Sequence, residues 1–429
     1  MQLILSKLAF LKNRDELRKV IANTGWLFFD RFLRMGIGLF VGVWVARYLG
    51  VKDFGTLNYA ISLVSLFSAF ATLGLPSLVV RALTQNPEKR EQILGTTCLL
   101  QLIASLGSLA LVIITTLVSK SGDKTTLILV ALLSSAWIFK AFNAVDLWFQ
   151  SQIKSKYTVL AKNTAFIITA IGKVLLINNE APLWTFAGVT VLESVLGALG
   201  LIIFYQSQGS SLLRWRWSFA LAKTLLKESW PLILSTFTVV IYMKVDQIML
   251  GNMMGSQAVG LYASAARLSE VWYFIPTAVV SSIAPSIYKA KQESIAAYSK
   301  RLEQVMRLLV YSAILIALPM SFLSAPVITG LFGDGYIAAA PILSIHIWAA
   351  VFVFMGVGSS TWFIAEGLTQ LSFLRTLIGA VINVSLNIIL IPSYGGVGAA
   401  IATVIAQAFS SFLSNAIHPK ARQIFLIQL

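Results

Sequence analysis

The sequence predicts an all-α polytopic membrane protein, with about twelve transmembrane helices in two pseudo-symmetric six-helix lobes. Three observations predict it. Of 429 residues, 57% are hydrophobic and only 12% are charged, about half the roughly 25% of a soluble domain. Mean hydropathy is +0.81. The 33 Lys and Arg residues, against 17 acids, stand in short clusters between long apolar runs. A nucleic-acid binder would carry such charge on a polar folded surface. The composition therefore excludes a soluble enzyme, a DNA-binding module and a disordered tail.

Apolar stretches of about 20 residues, the length needed to cross the hydrocarbon layer, mark the helices in order. The first six are expected near 24–47, 57–83, 93–118, 125–149, 158–177 and 183–205. The second six are expected near 225–250, 261–285, 303–324, 339–365, 370–391 and 396–416. Ahead of them, residues 1–22 carry Lys7, Lys12, Arg14, Arg18 and Lys19 around a mixed apolar stretch. That pattern lacks the clean apolar core and small-residue cleavage site of a signal peptide, and reads as an amphipathic cytoplasmic helix. The expected organisation is 1–22 as this leader, 23–210 as an N-lobe and 211–416 as a C-lobe opened by a basic linker at 211–224. Residues 417–429 form a tail.

The loops alternate in charge. Lys89 and Arg90, Lys154 and Lys156, the Arg214–Lys227 linker, Lys289 to Arg301, and Lys420 with Arg422 fall on one side. The intervening loops are short and poor in cations. Cytoplasmic loops are enriched in Lys and Arg, so both termini are expected in the cytoplasm and the protein in the plasma (inner) membrane. No outer loop is large enough to house soluble chemistry.

A repeat appears at half length. Gly50-Val-Lys-Asp-Phe-Gly55 is echoed by Gly255-Ser-Gln-Ala-Val-Gly260, and Trp26 by Trp230, at offsets of 205 and 204 residues. Pro76 and Pro285 are expected to close the second and eighth spans. Six spans per repeat would make the halves parallel, the architecture of a rocking transporter. Within the first span, Gly38 and Gly42 form a small-xxx-small pair suited to close helix approach.

Ionisable groups inside spans cost on the order of 2.5–3.5 kcal/mol unless they face protein or water. This chain places many there: Asp30, Arg31, Arg34, Lys140, Asp146, Lys173, Glu193, Lys244, Asp246, Arg267, Glu270, His346 and Arg375. Asp30 and Arg34 share a helix face; Asn143, Asp146 and Gln150 form a stripe; Arg375, Asn383 and Asn387 run at multiples of four. A hydrated cavity lined by these groups is one reading. Intrahelical ion pairs, Asp30–Arg34 and Arg267–Glu270, serving packing alone are another, and His346 reads as a core residue. One cysteine, Cys98, and two histidines rule out a disulfide framework and a Cys- or His-based metal site. No P-loop, GxSxG or HExxH motif occurs, so ATP coupling and familiar hydrolytic chemistry have no support.

The segment NTGWLFFDRFLRMGIGLFVGVWVARYLGVKDFGTLNYA closely resembles the opening of Wzx-type polysaccharide flippases. These belong to the multidrug/oligosaccharidyl-lipid/polysaccharide (MOP) exporter superfamily. ATLGLPSLVVRAL, PEKREQILGT, VGLYASAARLSEVWYFIPTAVVSSIAPSIYK, LFGDGYIAAAPIL and NIILIPSYGGVGAAIAT fit as well. The resemblance implies two lobes forming a V around a cationic cavity. It also implies transfer of an undecaprenyl-diphosphate-linked oligosaccharide between leaflets, with Arg31 or Arg34 and Arg267 as the matching cavity arginines.

The expected substrate contacts are Arg31, Arg34, Arg267, Arg375, Asn143, Asn383 and Asn387. The titratable candidates for coupling to H+ or Na+ are Asp30, Asp146, Asp246 and Glu270. No catalytic residue, metal or organic cofactor is expected. Expected partners are the lipid-linked glycan, the bilayer, and a polysaccharide polymerase with other biosynthesis proteins, with no nucleic acid. The rivals are a multidrug or cation-coupled exporter of the same superfamily and, in a different class, a membrane polysaccharide polymerase or ligase.

Overall fold

The computed structural model describes the backbone of residues 2–120 and 122–429 and the side chains of residues 22–120 and 122–429. The side chains of the expected amphipathic leader thus lie, apart from Ala22, outside the described residues. Every described element is a helix. Along the chain these are α1 (Gln2–Thr72), α2 (Pro76–Gln85), α3 (Arg90–Ser119), α4 (Lys124–Lys140), α5 (Ala144–Ser151), α6 (Ser155–Asn178), α7 (Leu183–Ser207) and α8 (Phe219–Met253). There follow α9 (Ser256–Glu270), α10 (Phe274–Glu293), α11 (Ile295–Phe332), α12 (Ala340–His346), α13 (Ala349–Ala365), α14 (Thr369–Ala408), α15 (Ser414–Ile417) and α16 (Arg422–Gln428).

Nine helices among the described residues are long and apolar enough to cross a membrane; the bent pair Asp334–His346 and Ala349–Ala365 makes a tenth. Two of the nine, Ala22–Gln85 and Thr369–Ile417, run to 64 and 49 residues. At 1.5 Å per residue these exceed the roughly 30 Å hydrocarbon layer about threefold and twofold. Each contains a glycine with non-helical backbone, Gly50 (φ 69°, ψ 173°) in α1 and Gly395 (φ 55°, ψ −130°) in α14. A side chain at such positive φ would be strained, so these two glycines are where the long helices turn.

The chain divides into two compact units. One comprises Met1–Gly42 and Phe67–Thr236, the other Val43–Leu66 and Phe237–Leu429. In the first, Leu94, Val145, Phe149, Leu201 and Tyr205 form the buried core. The basic linker packs there too: the Arg216 N–H donates to the Glu91 carbonyl at 3.1 Å, and the Ser218 N–H to Thr96 Oγ1 at 3.0 Å. Asn23 Oδ1 accepts the Ser155 N–H at 2.7 Å, fastening α1 to the start of α6. In the second unit Ile287, Leu302, Leu309, Phe354 and Phe363 form the core.

Two sequence expectations are corrected. Pro76 opens α2 rather than closing a span, since a first-turn proline lacks only an N–H that has no partner anyway. Pro285 lies inside α10, which continues to Glu293. The close helix approach expected at Gly38 is also absent: a Cβ there would meet only the Phe166 ring, at 3.9 Å.

Close approach occurs instead at the repeated motif. Gly50 and Gly255 take nearly the same extended left-handed turn (φ 69° and 86°, ψ 173° and 178°). The helices that follow cross at the second glycine of each motif. A Cβ on Gly55 would stand 1.8 Å from the Ser256 carbonyl oxygen, and one on Gly260 2.0 Å from that of Val51. Ser256 follows Gly255 as Val51 follows Gly50, so the contact is reciprocal and obeys the half-length offset.

Gly260→Ala must therefore push backbone against backbone, an overpacking cost of about 1–3 kcal/mol or more. The thermal midpoint of the purified protein is expected to fall clearly for Gly55→Ala and Gly260→Ala. Gly172→Ala, with nothing within 4 Å of the added atom, should hold or raise it.

Candidate functional site

Three polar constellations lie inside the membrane-length helices. In the first unit, Arg34 of α1 is held by three acceptors, one on its own helix and one each on α6 and α7. Its Nε donates to Asp30 Oδ1 at 2.9 Å, its Nη1 to Glu193 Oε1 at 3.1 Å and its Nη2 to the Lys162 carbonyl at 2.6 Å. The guanidinium also lies 4.9 Å from the Phe166 ring centroid. The Asp30–Arg34 pair read from spacing is thus real, and Glu193 joins it from α7.

Beside this knot is a cavity of about 260 Å³ lined by Arg34, Lys140, Asn143, Lys162 and Glu193. Lys162 Nζ donates to Asp146 Oδ2 at 2.6 Å. Asp146 Oδ1 accepts from Thr158 Oγ1 at 2.8 Å and from Gln150 Nε2 at 3.1 Å. Asp146 is buried and fully engaged. Asn143 sits in the 3-10 turn between α4 and α5, so the expected Asn143–Asp146–Gln150 stripe is split. Its first member faces the cavity and its second is turned to Lys162. Arg31 is exposed on α1.

The second unit holds the other two. Asp246 of α8 is buried; its Oδ1 accepts from Asn387 Nδ2 at 2.5 Å, and its Oδ2 from Tyr262 OH and Thr403 Oγ1, both at 2.7 Å. Asn387 Nδ2 also reaches Asn383 Oδ1 at 3.1 Å. Asn387 Oδ1 and Asn383 Nδ2 are buried without partners. No cation pairs with Asp246 among the described residues. Nearby, Arg267 of α9 lies 5.5 Å from the Phe54 ring centroid, and its Nη1 is buried without a partner. Glu270 is within electrostatic range of Lys244 and Arg267, but the expected Arg267–Glu270 pair is not formed as a bond among the described residues. His346 is a core residue, edge-on to Tyr262. Arg375 stands apart from Asn383 and Asn387, donating to Ser359 Oγ at 2.8 Å and to the Gly356 carbonyl at 3.1 Å.

No group of three or more His, Cys, Asp or Glu side chains able to hold a metal ion occurs among the described residues. The polar set around Asp246 is of another kind: the hydroxyls of Tyr262 and Thr403 and the amide N–H of Asn387 all donate to its carboxylate.

Residues 20–291, more than half the chain, match the family model described as polysaccharide biosynthesis protein. The chain belongs to that family. A second model, MatE, matches residues 231–389. Among curated proteins, the chain is 28% identical to the probable low-salt glycan biosynthesis flippase Agl15 of Haloferax volcanii over 46% of its own length and 42% of that protein. It is 21% identical to the capsular polysaccharide biosynthesis protein CapF of Staphylococcus aureus over 90% and 96%. The matches to the archaeal relatives thus span less than half of those proteins.

Among solved structures, an inward-facing multidrug resistance MATE family transporter of the MOP superfamily superposes with a TM-score of 0.72 at 16% identity, over 92% of this chain and 95% of that one. The lipid II flippase MurJ, in an inward closed conformation, gives 0.69 at 20% identity over 95% and 90%. The family member is therefore a multi-pass membrane protein with the MOP fold.

Lys162 was missed by reading the sequence. Its signal was available: a cation four residues after Thr158, near the start of a span, on the face that meets Asp146. Removing one partner of this pair strands the other in a poorly hydrated site. Lys162→Met is expected to destabilise the family member by about 2 kcal/mol. Adding Asp146→Asn should recover much of that in a double-mutant cycle of thermal unfolding, because the stranded carboxylate is removed.

Proposed function

We propose that this protein carries an undecaprenyl-diphosphate-linked oligosaccharide from the cytoplasmic to the outer leaflet of the plasma membrane by alternating access, for polysaccharide, O-antigen or exopolysaccharide assembly. The observation that carries the reading is the charged cavity in the first unit, lined by Arg34, Lys140, Lys162 and Glu193. Arg34 is paired there with Asp30 and Glu193 and Lys162 with Asp146, so a cargo phosphate would compete with these carboxylates. Lys140 is in no ion pair among the described residues. A diphosphate bears about two negative charges and does not cross hydrocarbon unaided. Guanidinium groups bind phosphate oxygens in a fork and stay charged in partly dry surroundings. Arg267, with Nη1 unpartnered, offers such a donor in the second unit. Family membership, the similarity to a probable glycan flippase and to a capsular polysaccharide biosynthesis protein, and the MOP fold support a flippase.

The chemistry here is binding and release, with no catalytic step. We read each of the two glycine-broken helices as two crossings, for twelve passes, and assign both termini to the cytoplasm from the basic loops. A polysaccharide polymerase is the partner that would consume the delivered unit. Coupling is placed at Asp246. A buried carboxylate with no cation paired to it is where a proton or a small cation would gain most by binding. Turned over, the Asn387 amide would add its oxygen to those of Asp246 and Thr403. Asp30 and Asp146 are engaged by Arg34 and Lys162 and are poorer candidates. The MatE match over 231–389 favours a second reading, a cation-coupled exporter of small molecules.

Deleting the gene separates the two readings. Accumulation of a lipid-linked glycan on the inner leaflet is expected; unchanged glycolipid with altered drug sensitivity would select the exporter. Arg34→Ala leaves Asp30 and Glu193 facing the cavity without their cation, so glycan export should be lost while the protein still inserts. Arg267→Ala should do the same, and Lys at either position should keep part of the activity. Asp246→Asn is expected to abolish the dependence of transport on sodium or on the proton gradient, read in proteoliposomes with each gradient imposed separately.

A further inference from the structure

Arg375 is a buried cation without a counter-ion. Its residue is 7% exposed, its two bonds go to the neutral acceptors Ser359 Oγ and the Gly356 carbonyl, and its guanidinium stacks 4.3 Å from the Phe363 ring centroid. No carboxylate pairs with it among the described residues. A guanidinium carries five N–H donors, so its charge is left unmatched and its hydrogen bonding incomplete. Such a group costs several kcal/mol in an apolar setting unless an anion joins it.

The same side chain lines a cavity of about 200 Å³ in the second unit. The rest of the wall is chiefly apolar: Leu371, Leu374 and Ile378 of α14, with Phe409 and Ile417. Leu374, Ile378 and Ile417 are also exposed on the outer surface, so the cavity continues onto an apolar face. His418 lies at its edge, and exposed Lys420 and Arg422 follow within four residues. Arg375 is six residues along α14 from Thr369, about 9 Å in a helix.

We infer that this cavity binds one anionic phospholipid, with the phosphate on Arg375 and an acyl chain along Leu374, Ile378 and Ile417. The chiefly apolar wall suits an acyl chain rather than a hydroxyl-rich oligosaccharide. The apolar wall repels a free anion, and the unmatched charge selects an anionic lipid over a zwitterionic one. The site is separate from the Arg34 cavity and from the Asp246 cluster, and is independent of which substrate is transported.

Purified protein in phosphatidylcholine nanodiscs, with and without phosphatidylglycerol carrying a photoactivatable acyl chain, tests this. Labelling of peptides from α14 and residues 409–421 is expected with phosphatidylglycerol, at about tenfold the yield of a phosphatidylcholine probe with the same chain. Ile378→Trp, which fills the cavity from an exposed position, should cut that yield by a similar factor, as should Arg375→Gln. Phosphatidylglycerol should raise the thermal midpoint of the wild type and not that of Arg375→Gln. In phosphatidylcholine alone Arg375→Gln should be at least as stable as the wild type, because an unmatched charge has gone. Equal labelling by both probes, labelling unchanged in Ile378→Trp, or equal protection by inorganic phosphate would overturn the lipid site.

Discussion

A charge placed inside a bundle that crosses lipid has to be answered by another charge, by a dense set of hydrogen bonds, or by something the protein binds. That constraint orders this molecule. Arg34 is answered twice, by Asp30 and Glu193, and Lys162 is answered by Asp146. These pairs draw α1, α5, α6 and α7 around one cavity and keep polar side chains off the lipid face.

The second unit answers its charges differently. Asp246 receives three hydrogen bonds and no cation; Arg375 receives two and no anion. In neither case does the surrounding protein complete the account of charge, and each therefore points to something outside the chain. A proton or small cation suits the first, a lipid phosphate the second. The first unit thus pairs its cations with carboxylates around a cavity, whereas the second leaves one acid and one cation without a charged partner among the described residues.

Much of this was legible in the residues. Low charge, long apolar runs and alternating basic loops are enough for an all-helical membrane protein, because hydrocarbon permits few other structures. Spacing four apart was enough to pair Asp30 with Arg34. The contacts that join distant segments were not legible. Glu193 meets Arg34 across 159 residues, and Asn387 meets Asp246 across 141, and helical periodicity says which face a residue occupies without saying what stands opposite. The stripe of Arg375, Asn383 and Asn387 shows the limit. The spacing put the three on one helix face, read as lining a hydrated cavity, yet Arg375 bonds to Ser359 and Gly356 while Asn383 and Asn387 belong to the Asp246 cluster. Pro76 misled for a related reason, since a proline ends one helix and begins another with equal ease.

The crossing of Gly55 with Gly260 has a consequence for descent. A contact in which each half presents the same surface to the other is the signature of a two-fold symmetric interface between identical subunits. Two separate copies of an ancestral half-chain, meeting at that glycine, would have made the same contact before fusion joined them. In the fused chain the two positions have become different residues of one gene, free to mutate singly, yet each is still confined by the backbone of its former twin. Neither can acquire a side chain without displacing the other half's backbone.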